Sequence, residues 1–423
     1  MFRFIHCADI HLDSPMRGLR FTDEHAADTV RNATRRALEN LVSVCLREHV
    51  DFVVIAGDVF DGDWEDYSTG LFFNRCMQQL GAANIPVYLI RGNHDAASVL
   101  TRHLTLPGNV TLLSEEHAQT ARIDDLQVAI HGQSFAKRDV TENLVASYPS
   151  AVPGYFNIGL LHTGLAGREG HARYAPCQLD DLLALRYDYW ALGHIHQPEL
   201  VNEDPPVLYA GNIQGRHIRE SGERGCVLVT VDGREVTTKR IPLDVVRWFE
   251  VVCDISACID EADALGVLRE TVSSVAEDNP GLPLCLRIRL TGVGARHTYI
   301  HRDVTRMTHE IVNVAGWAAT QTVYVEKVIF ERTSATDPLA SPVDMASMDA
   351  LLRALTDSAN QPHVADTLKD TLTTWQRSLA TRMQTEDAPQ PVTDEQVAEA
   401  IRNAMEEVTA RLQEGGRSSN GNS

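Results

Sequence analysis

No run of roughly 18 or more apolar residues occurs in the 423-residue sequence, so no membrane-spanning helix is expected. There is no CxxC pair either. The eight cysteines (7, 45, 76, 177, 226, 253, 258 and 285) are scattered, which argues against a thiolate zinc site and a disulfide framework and for reduced thiols in a cytoplasmic protein. Positive charge is scarce: 38 Lys and Arg stand against 58 Asp and Glu, a formal net charge of −20. Overall charge therefore draws no nucleic acid, and any such contact needs a local basic patch or a metal. The opening MFRFIHCADIHLDSP meets Asp9 and His11 before any useful apolar core, so no secretory leader is expected. What is present is ordinary for a globular chain: 43% hydrophobic and 23% charged residues, enough length for about two or three domains, and no internal repeat.

Residues 1–245 alternate β-rich runs with helical stretches. FRFIHCA, DFVVIAG, IPVYLI, LQVAIHG, FNIGLLH, DYWALGH, PVLYAG and CVLVTV read as strands. A helical pattern runs from about Asp23 to His49, with Val30, Ala37, Leu38, Leu41, Val42 and Cys45 on one stripe. Near-continuous apolar strands predict α/β sheets covered by helices on one face and by a second sheet on the other. PVLYAG and CVLVTV, followed by Asp232-Gly233 and REVTTKRI, read as an antiparallel hairpin end. From 247 to 333 the order strand, helix, strand, strand predicts a small α+β domain. Residues 334–345 read as a Pro/Ser-rich linker and 346–414 as helical, with a Thr393–Gln396 capping box. The tail 415–423 is expected to be disordered.

Five segments carry the chemistry: Asp9-Ile10-His11, Gly57-Asp58-Val59-Phe60-Asp61, Gly92-Asn93-His94-Asp95, Leu161-His162-Thr163 and Gly193-His194-Ile195-His196. Each follows a β-rich run, and the carboxyl ends of strands are where α/β sheets assemble ligand sites. Any one of them alone reads as a turn, and a lone histidine such as His131 reads as a satisfied core residue. Together, two Asp, one Asn and four His give seven oxygen and imidazole donors. That number is too many for one tetrahedral ion and suits two divalent ions sharing a carboxylate, with Asp58 the candidate bridge. An extended 194–196 segment puts both imidazoles on one face, whereas a turn aims one at each ion.

The order D-x-H, G-D-x-x-D, G-N-H-D, H, G-H-x-H resembles the calcineurin-like metallophosphoesterase superfamily over about 210 residues. The resemblance implies a β-sandwich flanked by helices, with a small α+β cap and a helical C-terminal region. It implies one metal on Asp9, His11, Asp58 and His196, and a second on Asp58, Asn93, His162 and His194. It makes His94 the catalytic residue that contacts the substrate phosphate and assists the leaving oxygen. HCADIHLDSPMRGL and YAGNIQGRHIRESGERG are similar to YhaO-type DNA repair exonucleases, relatives of the SbcD nuclease subunit. This implies Mn-dependent cleavage of DNA phosphodiesters, a cap at 247–333 and an SbcC-like coiled-coil ATPase partner; a homodimer is compatible with it. SbcD-like nucleases usually carry His where this chain has Asp61, which points Asp61 toward orienting a ligand or His94. Asp95 is a candidate for holding the His94 region, Arg91 for a second phosphate and His217 for the DNA path.

Two other functions compete. The motifs build a metal site without naming what binds above it, so a cyclic nucleotide, a nucleotide sugar-lipid or a phosphoprotein remains an alternative substrate. A non-catalytic DNA-binding subunit is the other, and the full ligand set argues against it. Residues 386–414 hold eight acidic and two basic residues, which sets that segment against direct contact with DNA phosphates.

Overall fold

The structure is a computed structural model, and it describes residues 1–14, 32–61, 67–97, 104–165, 174–294 and 296–332, with short pieces between 366 and 403. The chain divides into two compact units. One is Met1–Val251 with Ser274–Ile288 and Ala319–Lys327; the other is Val252–Ser273, Arg289–Ala318 and Val328–Ser423.

The first unit is an α/β sandwich of two six-stranded sheets. In one sheet β1 (Phe2–Cys7), β2 (Phe52–Ile55), β3 (Val87–Leu89) and β4 (Val110–Leu112) run parallel. The hairpin of β11 (Gly225–Asp232) and β12 (Glu235–Pro242) adds antiparallel to β1. In the other, β6 (Val128–Gly132), β7 (Phe156–His162), β8 (Tyr189–Gly193) and β10 (Pro206–Tyr209) are parallel, edged by β5 (Gln119–Ile123) and β9 (Glu199–Glu203).

Strand alternation builds the layers. Phe4, Phe52 and Val54 point from the first sheet into the space between the sheets and meet Ile130, Ile158, Leu160 and Tyr189 of the second. The intervening Ile5, Cys7, Val53 and Ile55 face the opposite way, onto helices α1 (Ala33–Glu48) and α2 (Ser68–Ala82) through Leu38, Leu41, Phe73 and Met77. On the outer face of the second sheet, Trp190, Leu192 and Leu161 cluster with Leu182 and Tyr187. Trp190 stands where Gly159 leaves room: a Cβ on Gly159 would lie 2.3 Å from its ring.

The expected hairpin is formed by β11 and β12 around Gly233, whose φ is +63°. PVLYAG is not part of it: β10 lies in the other sheet, parallel to β8, because the 15 residues between Tyr209 and Gly225 carry the chain from one sheet to the other. Helix α1 begins at Ala33; the expected start near Asp23 lies outside the described residues. His131 is a satisfied core histidine, paired with Thr120 and Asn157.

Further along, β13 (Arg247–Asp254), β14 (Leu284–Val293) and β15 (Val323–Arg332) form a three-stranded sheet in that order. After the short helices α3 (Asn93–Ala97) and α4 (Leu179–Ala184) of the first unit, helix α5 (Glu261–Glu277) joins the first two strands of this sheet, and α6 (Thr298–Arg302) and α7 (Val304–Trp317) precede the third; the last two helices are not among the expected elements. The Thr393–Gln396 capping box is present, with Thr393 N–H donating to Gln396 Oε1 (3.0 Å) and Gln396 N–H to Thr393 Oγ1 (3.2 Å). The linker 334–345 and the tail 415–423 lie outside the described residues, as does most of the expected helical region. Among the described residues, no helix is long and apolar enough to cross a membrane.

Candidate metal centre

The parallel strands deliver their following loops to one rim. Asp9 N–H donates to Gly57 O (3.0 Å) and His11 N–H to Asp58 O (3.1 Å), so the loops after β1 and β2 run side by side. The two sheets are tied together there by His162 Nδ1, 2.9 Å from Ala56 O, and by His194 N–H, which donates to both carboxylate oxygens of Asp9 at 3.1 Å. Close approach demands glycine: a Cβ on Gly193 would lie 2.0 Å from Ala56 O, and one on Gly92 2.2 Å from Asp58 Oδ1. Asp9, His11, Asp58 and His194 adopt left-handed backbone with φ of 50°, 44°, 51° and 96°. Such conformations are uncommon without glycine and cluster at functional sites. At His194 this turn separates it from His196: His194 packs its ring on His162 (5.2 Å between centroids), and His196 packs on His11 (4.9 Å).

Among the described residues three overlapping donor clusters result: Asp9, His11 and His196; His11, Asp58 and His94; and Asp9, Asp58 and His162. Within them, His11 Nε2 and His196 Nε2 are 3.1 Å apart, and His162 Nε2 is 3.0 Å from Asn93 Oδ1. Asp58 Oδ2 stands between the groups, 3.9 Å from His11 Nε2 and 3.4 Å from His162 Nε2. Two ligand atoms on adjacent corners of an octahedron with bonds of about 2.1 Å stand about 3.0 Å apart. The residues present therefore fit divalent ions.

Electrostatics agree. Asp9, Asp58, His11 and His162 are buried, and buried carboxylates this close need a cation between them. Burial raises Asp9, a shift that the His196 and His162 charges oppose. For Asp58, burial is outweighed by the charge and hydrogen bond of His162 and the charges of His11 and His94, which hold the carboxyl well below its usual range. His162 is the converse: Asp58 overcomes burial and lifts the imidazole to about 9. Burial, with the Arg216 charge, depresses His11 to about 3.

His94 is the half-exposed member of the second cluster, its ring 4.8 Å from that of His11. Its Nδ1 is 2.9 Å from Asp61 Oδ1, and Asp61 Oδ2 accepts from Ser14 Oγ (2.6 Å). Asp61 thus touches both His94 and His11, whose Nδ1 lies 3.3 Å away. Asp95 holds the backbone instead: its buried carboxylate accepts from Val59 N–H (3.2 Å), Phe60 N–H (2.9 Å) and Gly92 N–H (3.1 Å), clamping one motif loop to the next. Burial and the nearby Asp58 charge push its carboxyl up to about 7. Arg91 is turned to Glu115, at 2.9 Å. His217 lies 3.5 Å from Glu220. Four residues at the site were not expected from the sequence: Ser14, Glu220, Tyr174, whose ring is 5.3 Å from that of His194, and Phe135, whose ring is 5.5 Å from that of His162. Ser14 and Glu220 lay in stretches that the sequence marked, HCADIHLDSPMRGL and YAGNIQGRHIRESGERG, whereas Tyr174 and Phe135 did not.

Comparison with known proteins gives two family matches. Residues 2–198 match the calcineurin-like phosphoesterase family, and residues 248–333 match the middle domain of the metallophosphoesterase YhaO. The chain is 34% identical over 293 residues to the uncharacterized metallophosphoesterase YhaO of Bacillus subtilis, covering 68% of this chain and 71% of that one. It is 24% identical over 303 residues to the DNA double-strand break repair protein Mre11 of Sulfurisphaera tokodaii, covering 66% and 71%. Among solved structures, a dimetal phosphatase from Danio rerio aligns at 12% identity and a TM-score of 0.35, covering 57% of this chain and 96% of that one.

Proposed function

The chain belongs to the calcineurin-like phosphoesterase family, as a YhaO-type member, and on that premise we propose that it is a two-metal, Mn-dependent exonuclease hydrolysing DNA phosphodiesters in DNA repair. The observation that carries the two-metal part is the placement of Asp58 between His11 and His162, within donor clusters that reach from both sheets. The likeness to Mre11 supports DNA as the substrate, since it extends over 303 residues.

In this reading Asp9, His11, Asp58 and His196 hold one ion, and Asp58, Asn93, His162 and His194 the other. Divalent ions held there would lower the pKa of a water and neutralise the phosphate oxygens. The water gives up a proton to solvent as its oxygen forms the new P–O bond in line with the departing sugar oxygen, whose bond to phosphorus breaks. His94 supplies the proton that the departing oxygen needs. Asp61 makes this possible: by accepting from Nδ1 at 2.9 Å, it leaves Nε2 as the nitrogen free to face substrate. Burial works against the charge on His94, yet the Asp61 bond and the Asp58 and Asp61 charges outweigh it and raise its pKa. Ser14, and Arg216 at 3.7 Å, hold Asp61 in turn. An SbcC-like ATPase partner belongs to the same reading and is tested by co-purification.

The experiment compares Mn-loaded wild-type protein on end-labelled duplex DNA, a cyclic nucleotide and a phosphopeptide. DNA should be shortened from its ends, His94→Ala should bind metal but lose about 100-fold or more in rate, and Asp58→Ala should lose metal as well. Cleavage of the cyclic nucleotide or phosphopeptide with DNA left intact would refute the DNA assignment and leave the phosphoesterase class standing.

A further inference from the structure

Resting on this two-metal reading, we propose that Glu220 is a positioning residue that selects the tautomer of His196 and so decides whether one of the two ions is held. Glu220 follows β10 in the segment that crosses between the sheets, and its side chain is only 4% exposed. Its carboxylate gathers His196 Nδ1 at 2.6 Å, Arg216 N–H at 2.7 Å, Asn212 Nδ2 at 2.9 Å and Arg216 Nη2 at 3.1 Å. The backbone of His196 is fixed as well, with its carbonyl accepting from Arg224 Nη1 and from Asn212 N–H.

Two groups compete for His196 Nδ1. A guanidinium can only donate and an ionised carboxylate can only accept. Arg216 Nη2 lies 3.3 Å from Nδ1 and Glu220 Oε1 lies 2.6 Å away, so the carboxylate wins the contact. Nδ1 then carries the proton, and Nε2, which faces His11 Nε2 at 3.1 Å, presents a lone pair to a cation. Without Glu220, Arg216 becomes the nearest partner and donates to Nδ1. The proton moves to Nε2, and that nitrogen can no longer bind metal. Glu220 bonds to His196, Asn212 and Arg216 and lies 3.5 Å from His217, so its loss acts on the His196 side of the centre.

The test is calorimetric titration of Mn2+ into the metal-stripped full-length protein, with thermal melting of the metal-free form alongside. Wild-type protein should bind two ions. Glu220→Ala should weaken one of them about 10–100-fold and leave the other within about threefold, and Glu220→Gln, whose Oε1 still accepts from Nδ1, should lose less. Glu220→Asp should recover part of the loss. Adding Arg216→Met to Glu220→Ala should also restore affinity, because the competing donor is gone; a purely structural role predicts a further loss instead. The proposal fails if the Glu220 variants keep both affinities, if both ions weaken together, or if removing Arg216 rescues nothing. Should one Glu220 variant not fold, the Glu220→Asp affinities decide alone. Wild-type protein that binds no Mn2+ would remove the two-metal reading itself, which separates that failure from the failure of Glu220.

Discussion

If two ions share Asp58, a methyl group placed between two motif loops should weaken both. A Cβ on Gly92 would lie 2.2 Å from Asp58 Oδ1, 2.8 Å from Asp58 Cγ and 2.8 Å from Asp58 N. An ordinary C···O contact is no shorter than about 3.2 Å, so the carboxylate must retreat by about 1 Å. Rotation alone does not clear the methyl, because the Asp58 backbone N stands within 2.8 Å of it as well. Gly92 itself cannot shift freely, since its N–H donates to Asp95 Oδ2 at 3.1 Å and His94 N–H donates to Asp58 Oδ1 at 2.9 Å. Overpacking of this kind costs about 1–3 kcal/mol in stability, or roughly 2–10 °C in Tm. The effect on metal is larger, because a ligand distance tolerates only about 0.2 Å of error. Gly92→Ala should therefore weaken both ions together by about 100-fold or more, in contrast to the single ion lost with Glu220. Calorimetry with Mn2+ and thermal melting read the two quantities. Gly108→Ala is the control, since nothing lies within 4 Å of its Cβ position, and it should change stability by no more than about 0.5 kcal/mol. Gly92→Ala protein that binds two Mn2+ as wild type does would refute the argument that Asp58 serves both ions from this position.

Three further outcomes follow from the structure. His6 is buried with Nδ1 accepting from the Tyr189 hydroxyl (3.0 Å) and Nε2 donating to Leu192 O (3.2 Å); burial, partly offset by the Leu192 bond, lowers it from 6.5 to about 3. It is neutral when folded and protonates on unfolding, so its contribution is intact above about pH 6.5 and falls as the pH drops. At pH 5 the loss is about 2 kcal/mol, and urea melts of wild type and His6→Gln at pH 7 and pH 5 should differ in pH dependence by that amount; equal slopes would refute it. Saturating Mn2+ at about 100 times its Kd should stabilise the protein by about 2.7 kcal/mol per ion, read as a rise in melting temperature that a chelator reverses. Gly266, inside α5 with nothing near its Cβ position, should gain about 0.5–1 kcal/mol as alanine, and a destabilised Gly266→Ala would show that the position is crowded.

The sandwich was legible in the sequence because its central strands are apolar on both faces: FVVI of β2 and YWALG of β8 are fully buried. The edge strands of the second sheet were not. QTARI of β5 and ELVNE of β9 carry polar residues and are paired on one side only, so tertiary pairing decides them. Helix α7 had a signal that passed among its polar residues: Asp303 caps it by accepting from Arg306 N–H at 2.8 Å, and Met307, Ile311 and Ala315 form its buried stripe. At the rim, the motif residues stood out because glycine, histidine and aspartate follow strand ends. Glu220 did not, because a carboxylate in a turn-rich stretch looks like any solvated acid until the fold brings His196 to it. The role of Asp95 was legible only in part. Its neighbours in sequence pointed to His94, and its hydrogen bonds go to the backbone of another loop.

Four of the centre's residues, Asp9, His11, Asp58 and His194, hold their backbone where glycine would rest without penalty. Each such residue costs of order 1–3 kcal/mol. Glycine at any of them would ease the main chain while deleting a donor. A screen that rewards thermal endurance alone will drift toward those replacements, enriching sturdier chains that hydrolyse nothing. Improvement of this protein must therefore score turnover and melting in the same round, and must look for its gains far from the rim.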